Sequence, residues 1–139
     1  MRVSLHLTLD GQCRAAFQNY QRILGGTMTT LLTYGESPMA SQVDGQWHGR
    51  ILHAGLLFGE CELTGVDLLP NDYQKPRGFF VTFTVERADK GQEIFAALAE
   101  EGQVRLPFGT TFWSPGFGVL VDRYGTPWEI DCEQPIASA

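Results

Sequence analysis

Apolar and polar residues alternate in the same way in two parts of this chain. Residues 3–9 alternate leucine with polar residues such as His6 and Thr8, which is typical of a half-buried strand, and residues 78–85 repeat the pattern. Each strand precedes a stretch whose apolar residues recur on one helical face, followed by further strand-like segments. The pattern therefore predicts two copies of a β-α-β-β-β unit, neither of which buries its apolar face alone.

The predicted elements divide the chain into two modules of a single domain. Module one covers about residues 1–68, a proline-containing connector lies at about 67–78, and module two covers about 78–135. The polar loop at 35–50 is long for a compact domain, which favours a segment that covers a site or moves. We predict strands at 3–9, 27–34, 51–58, 60–66, 78–85, 103–106, 118–122 and 128–132, with helices at 12–24 and 89–102.

Two such modules predict an α+β fold, in which they pair into a curved mixed sheet with the helices outside and a cup inside. Strand alternation assigns side chains to the two faces of each sheet. The side chains expected in the core include Cys61, Leu63, Trp128 and Ile130. Those expected to face the cup are His6, Thr8, Glu62, Thr64, Phe80, Thr82, Thr84, Glu129 and Asp131.

Charge and composition exclude several classes of partner. The chain has 139 residues, a formal net charge of −6 and ten basic residues that are scattered singly, so neither nucleic acid nor an anionic membrane is expected as the main partner. No apolar run approaches the ~20 residues of a membrane-spanning helix, and the N-terminus lacks a signal-peptide pattern. We therefore expect a cytoplasmic protein. Its three cysteines, Cys13, Cys61 and Cys132, fit buried reduced thiols better than disulfides or a zinc site.

Several segments resemble one known family over nearly the whole chain. They are residues 9–17 (LDGQCRAAF), 51–54 (ILHA), 112–118 (FWSPGFG) and 122–128 (DRYGTPW), of which the last two are the most distinctive. Together with the paired modules, they make the chain similar to the PhnB-like branch of the vicinal oxygen chelate superfamily. This superfamily includes glyoxalase I, extradiol dioxygenases and bleomycin-resistance proteins.

The resemblance implies a set of candidate metal ligands. Metal-using members bring four side chains together on the cup floor, and the matching positions here are His6, Glu62, Phe80 and Glu129, with Phe79 replacing Phe80 if the strand shifts by one. Phenylalanine cannot bind a metal. The remaining imidazole and two carboxylates could hold Zn²⁺, Ni²⁺, Mn²⁺ or Fe²⁺ with open positions for substrate, and Glu62 or Glu129 could then move protons as a catalytic residue.

Two classes of function stay open at this point. In the first, the protein is a divalent-metal-dependent lyase, isomerase or dioxygenase. In the second, it binds a flat or cationic small molecule without catalysis, as bleomycin-resistance proteins do, and His6 is only a polar residue on a strand. We expect the ligand pocket to include Thr8, Phe80, Thr82, Trp113, Phe117 and Arg123.

Three further expectations concern individual residues and assembly. Arg123 would anchor an anionic ligand if it points inward, and would otherwise be solvated. His53 is expected to be structural and His48 exposed. Because relatives complete the cup with a second chain, the resemblance also implies a homodimer.

Overall fold

A computed structural model of the protein describes residues 1–133. The chain forms two compact units, one from Met1 to Gln74 and the other beginning at Lys75. We refer to them as module one and module two. The last two residues of the predicted second module, 134 and 135, lie outside the described residues.

Module one is a four-stranded sheet with one helix. Its strands are β1 (Leu5–Leu9), β2 (Thr27–Thr33), β3 (Ile51–Phe58) and β4 (Cys61–Asp67), and its helix α1 (Cys13–Leu24) lies between β1 and β2 in the chain. The strand order is β1-β4-β3-β2. β1 runs parallel to β4, which places His6 beside Thr64, whereas β3 is antiparallel to both of its neighbours.

Module two repeats this topology. Its strands are β5 (Val81–Val85), β6 (Gln103–Gly109), β7 (Phe117–Val121) and β8 (Pro127–Cys132), and its helix is α2 (Ala88–Ala99). The strand order β5-β8-β7-β6, with β5 parallel to β8, matches that of module one element by element. The α+β fold class and the two predicted β-α-β-β-β modules are thus confirmed, and each sheet is hydrogen-bonded within its own module.

The core of module one lies between α1 and the sheet. The buried face of α1 carries Cys13, Ala16, Phe17 and Tyr20, and the leucines of β1 are buried as the alternation predicts. Gly65 on β4 permits this close packing, because a Cβ there would lie 2.5 Å from the Phe17 ring. The glycine therefore lets an aromatic ring rest directly on the strand backbone.

The loop between β2 and β3 is built from two short 3-10 turns, Pro38–Gln42 and Gly45–Trp47. The side chains of Ser37 and Asp44 cap these turns by accepting backbone N–H groups. The amide of Tyr34 at the start of the loop donates to the carbonyl of Arg50 at its end, 2.9 Å away, and so joins the two ends of the loop.

Some details differ from the sequence-based predictions. β5 begins at Val81, so Phe80 precedes the strand. Asp89 is not the N-cap of α2: it lies in the first helical turn and pairs with Arg87 at 2.8 Å. Cys61 is exposed where it opens β4 directly after the turn at Gly59, so its predicted place in the core is wrong, whereas Cys13 and Cys132 are buried as predicted. Within the described residues, neither helix is long and apolar enough to cross a membrane.

Candidate functional site

Each sheet has one face covered by its helix and one face turned away from it, which we call the open face. In module one, the pairing register places His6, His53, Gly55, Glu62 and Thr64 on the open face. The alternation also puts Thr8 there, half-buried. The predicted assignment of His6, Glu62 and Thr64 to one face of the sheet is therefore confirmed.

His6 is held by a chain of hydrogen bonds. The Thr64 hydroxyl donates to the carbonyl of Leu5, with 3.3 Å between the oxygens, and its oxygen lies 2.6 Å from His6 Nδ1. With its proton directed at Leu5, this hydroxyl accepts from the Nδ1–H of His6. The lone pair of Nε2 then stays available, which is the tautomer that a metal or a proton donor requires.

A second histidine lies beside the first. The rings of His6 and His53 are nearly parallel, with centroids 6.1 Å apart and an interplanar angle of 19°. Desolvation lowers the pKa of His6, and the charge on His53 lowers it further. Both effects disfavour the imidazolium form, so His6 is neutral over a wider pH range than an isolated histidine.

Glu62 is positioned by a hydrogen bond that spans a glycine. The Thr29 hydroxyl on β2 donates to Glu62 Oε2 at 2.8 Å, although β3 lies between the two strands. Gly55 on β3 makes this contact possible, because a Cβ there would lie 2.4 Å from Thr29 Oγ1 and 3.1 Å from Glu62 Oε2. The carboxylate is therefore oriented across the open face of module one.

The open face of module two carries two carboxylates. Glu129 accepts a hydrogen bond from the Thr82 hydroxyl, its cross-strand neighbour on β5, at 3.0 Å. Asp131 lies opposite Phe117 on β7. Its Oδ1 is buried and has no hydrogen-bond partner among residues 1–133. A buried carboxylate oxygen without a partner is costly, so this position favours a bound donor or cation.

Aromatic rings lie near Asp131, whose cross-strand neighbour is Phe117. Phe117 packs edge-to-face against Trp113 with the ring centroids 5.2 Å apart, and Trp113 meets Phe112 in the same manner at 4.7 Å. Trp113 is half-exposed and Phe112 almost fully exposed. Aromatic faces beside an acidic group are a favourable environment for an organic cation.

The remaining predicted site residues are in less constrained positions. Phe80 is exposed just before β5. Arg123 lies in the turn after β7, where its guanidinium pairs with Glu101 at 2.6 Å and lies over the Tyr124 ring. The guanidinium of Arg123 therefore already has a carboxylate partner within the protein. In the part of the chain that is described, the other two ion pairs join Arg87 with Asp89 and Lys90 with Glu93, so Glu62, Glu129 and Asp131 have no ion-pair partner.

The described side chains do not form a ready metal centre. Residues 1–133 contain no group of three or more His, Cys, Asp or Glu side chains that could hold a metal ion. The predicted set of His6, Glu62 and Glu129 draws on both modules and stays a prediction, so no reaction step is assigned to a metal there.

Sequence reasoning missed part of the open faces. It treated His53 as structural, although its ring stacks on that of His6. It placed Asp131 on the cup side without giving it a role, and it missed Thr29. His53 could have been identified from strand alternation. It lies four residues before Leu57, the β3 residue that pairs with Glu62, so His53 and Glu62 are on the same face of the sheet. The reach of Thr29 across Gly55 depends on a bulge in β2 that alternation cannot show.

Comparisons with known proteins support the architecture. No protein-family model matches the chain. The crystal structure of protein PA1353 from Pseudomonas aeruginosa is 36% identical in sequence, with a TM-score of 0.88, covering 96% of this chain and 98% of that one. The PhnB protein of Bacillus cereus is 20% identical, with a TM-score of 0.80 and coverage of 95% and 99%. A glyoxalase/bleomycin resistance protein/dioxygenase from Nocardioides is 15% identical, with a TM-score of 0.56 and coverage of 100% and 90%.

Proposed function

From the premise that this chain belongs to the same family as protein PA1353 and has the PhnB-like fold of the vicinal oxygen chelate superfamily, we propose that it binds a small organic cation. The open faces of its sheets present three carboxylates, Glu62, Glu129 and Asp131, that have no ion-pair partner among residues 1–133. We further propose that this binding takes place in the cytoplasm and that it does not require catalysis.

One observation carries the proposal, namely that the buried Oδ1 of Asp131, beside an aromatic cluster, has no hydrogen-bond partner among residues 1–133. A cation at this oxygen would remove the cost of burying an unpaired polar atom. Phe117 and Trp113 would add attraction between their ring faces and the positive charge, worth about 0.5–2 kcal/mol for each well-placed ring. A flat or alkylated ammonium compound combines both features.

Calorimetric titration with tetraethylammonium chloride tests this proposal, with sodium chloride at the same ionic strength as the reference. We expect saturable binding to the wild-type protein. Asp131→Asn and Trp113→Ala are each expected to weaken it at least about fivefold, because each removes one of the two attractions. Glu93→Gln is the matched control, since Glu93 is an exposed acid on α2 that pairs with Lys90.

Two outcomes would count against a cation site. One is heat that rises linearly with tetraethylammonium concentration, which indicates unspecific association. The other is an equal loss of affinity in Glu93→Gln, which indicates that only the net charge matters.

The second candidate is the metal-dependent enzyme implied by the family resemblance. The observation in its favour is that the hydrogen bond at Nδ1 leaves Nε2 of His6 available as a ligand atom. This candidate stays a prediction.

Metal analysis separates the two candidates. The protein is loaded in turn with Zn²⁺, Ni²⁺, Mn²⁺ and Fe²⁺, dialysed, and analysed beside the variants His6→Ala and Glu129→Gln. The metal-dependent candidate expects stoichiometric metal in the wild type and a loss in both variants. No retained metal would end that hypothesis, and equal metal content in all three proteins would place the metal elsewhere.

A further inference from the structure

Module one has a groove on the side of α1 that is separate from the open face. It has a volume of about 330 Å³ and lies between the loop preceding α1, the first two turns of that helix and the start of β3. The side chains that give it chemical character are Arg14, Gln18, Arg50 and Asp67. None of them belongs to the residues discussed above as a cation or metal site.

The lining of this groove consists mainly of hydrogen-bond donors. Arg14 and Arg50 supply guanidinium groups, and Gln12 and Gln18 supply amides, in a chain whose formal net charge is −6. All four residues are exposed. Two of the ten basic residues therefore meet at one depression of an otherwise acidic protein.

The acid in this lining is already engaged. Asp67 is buried, and its two carboxylate oxygens accept the backbone N–H groups of Cys13 and Ile51, each at 2.9 Å. Glu36, which also feels the charge of Arg14, accepts hydrogen bonds from the amide and the hydroxyl of Thr33. Asp67 and Glu36 thus already accept hydrogen bonds from other residues, although Asp67 also feels the charge of Arg50, and Arg14 and Gln18 line the groove.

Arg50 is held in place before any ligand arrives. Its Nη1 donates to the carbonyl of Gly11 at 2.5 Å, and its guanidinium lies over the Trp47 ring, 5.5 Å from the centroid. A guanidinium fixed in this way loses little side-chain entropy on binding an anion. The fork geometry of its remaining N–H groups matches carboxylate and phosphate oxygens.

We propose that this groove binds a small organic anion, a carboxylate or a phosphate monoester, through Arg14 and Arg50. The volume lies at the lower end of the range of about 300–1,000 Å³ that is usual for small-molecule sites, which suits a compact ligand. Gln12 and Gln18 supply additional donors at the rim. The site is independent of the cation site proposed for module two.

Titration with inorganic phosphate and with succinate, followed by amide NMR shifts at matched ionic strength in sodium chloride, tests the proposal. We expect saturable shifts at Gly11, Gln12 and Gln18 and at the indole N–H of Trp47. The anion that saturates at the lower concentration identifies phosphate or carboxylate as the preferred group. Arg14→Gln should weaken the binding at least about tenfold, since it removes a charged donor.

Two variants make the experiment specific. Arg22→Gln is the matched control, because Arg22 lies on the same helix, is exposed, bonds to Asn19 and is outside the groove, so it should leave the affinity unchanged. Arg50→Lys keeps the charge but loses the fork, and a weakened affinity in this variant supports recognition by hydrogen bonds. Thermal melting without anion confirms that each variant is folded.

Shifts that grow linearly with both anions would overturn the proposal, as would an equal loss in Arg14→Gln and Arg22→Gln. Tetraethylammonium binding is measured on the same variants. It should be unchanged in Arg14→Gln, so a failure of the anion site is distinguishable from a failure of the cation site.

Discussion

The orientation and the pKa of His6 depend on two neighbouring side chains and on burial. Its Nδ1 is engaged by Thr64, its ring faces His53, and its pKa lies below the ordinary value of 6.5, first because of desolvation and then because of the charge on His53. A group whose pKa is lowered by folding contributes stability above its unfolded pKa and loses that contribution as the pH falls through the folded value. Protonation of His6 therefore favours unfolding.

We predict that an NMR titration of the histidine ring protons gives His6 a midpoint below 6.5. His53→Gln should move this midpoint upward, because the neighbouring charge is removed while Thr64 stays in place. His48→Gln is the control, since His48 bonds to the carbonyl of Ala40 in the loop after β2. A midpoint at or above 6.5 in the wild type would contradict the description of His6.

Asp67 is a second residue with a defined structural task. It joins the start of α1 to the start of β3 by accepting the N–H groups of Cys13 and Ile51. Burial raises its pKa more than these bonds and the charge of Arg50 lower it. Burial also raises the pKa of the Cys13 thiol, with the charge of Asp67 acting in the same direction, so this thiol is held in its neutral form.

Asp67→Asn is predicted to destabilise the protein by about 1–3 kcal/mol, because the amide NH₂ would face one of the two N–H donors and leave it unsatisfied. Urea denaturation measures the change in the free energy of unfolding. Asp10→Asn is the control at an exposed position on the same side of α1. Equal unfolding free energies for the two variants would show that Asp67 does not make this connection.

At the scale of elements, the open face of module one depends on glycine in β3. The Thr29 hydroxyl and the Glu62 carboxylate meet above Gly55, and no other residue type leaves room for that contact. β3 thus has no side chain at this position, and a side chain of β2 can form a hydrogen bond with one of β4 across it.

Gly55→Ala is predicted to break the bond between Thr29 and Glu62 and to lower the free energy of unfolding by about 1–3 kcal/mol through overpacking. The same substitution should cost less in a Thr29→Ala background, where the hydroxyl that the new methyl group meets is absent. Gly45→Ala is the control, because a Cβ there meets nothing within 4 Å. Additive costs in the Gly55 and Thr29 double-mutant cycle would contradict this account.

The alternation of apolar and polar residues predicted more of the structure than the chemical character of single residues did. It identified both modules, all eight strands and the faces of His6, Glu62 and Glu129, because the period of two follows directly from strand geometry. It did not identify the exposure of Cys61, which opens β4 directly after the turn at Gly59. The contact between Thr29 and Glu62 could not be predicted from alternation either, since it arises from a bulge in β2 and a glycine in β3.

At the scale of the whole molecule, the two modules share a topology but differ in the chemistry of their open faces. Module one presents the stacked pair of His6 and His53 with one carboxylate, and module two presents Glu129 and Asp131 with an aromatic cluster. Duplication explains the common fold. The divergence explains why the repeat predicts the positions of site residues without predicting their chemistry.

Large apolar side chains remain exposed in module two, and they bear on assembly. Apart from Phe112 and Trp113, which belong to the aromatic cluster of the proposed cation site, they are Phe79, Phe80, Val104 and Leu106. Exposed apolar groups of this kind commonly mark an interaction surface, since removing apolar surface from water is favourable by about 25 cal/mol for each Å². The family resemblance implies, as a prediction, that the partner is a second copy of the chain.

We therefore predict that the protein is a homodimer. Light scattering during size-exclusion chromatography should give twice the mass of one chain, and the dimer should persist on dilution through the micromolar range. Because the surface is apolar, raising sodium chloride to 0.5 M, about three times physiological ionic strength, should not dissociate it, whereas an interface of ion pairs would weaken. Leu106→Ser should increase the monomer fraction, and Val3→Ser, at an exposed apolar position of module one, should not. A wild-type protein that elutes at the monomer mass throughout this range would refute the prediction.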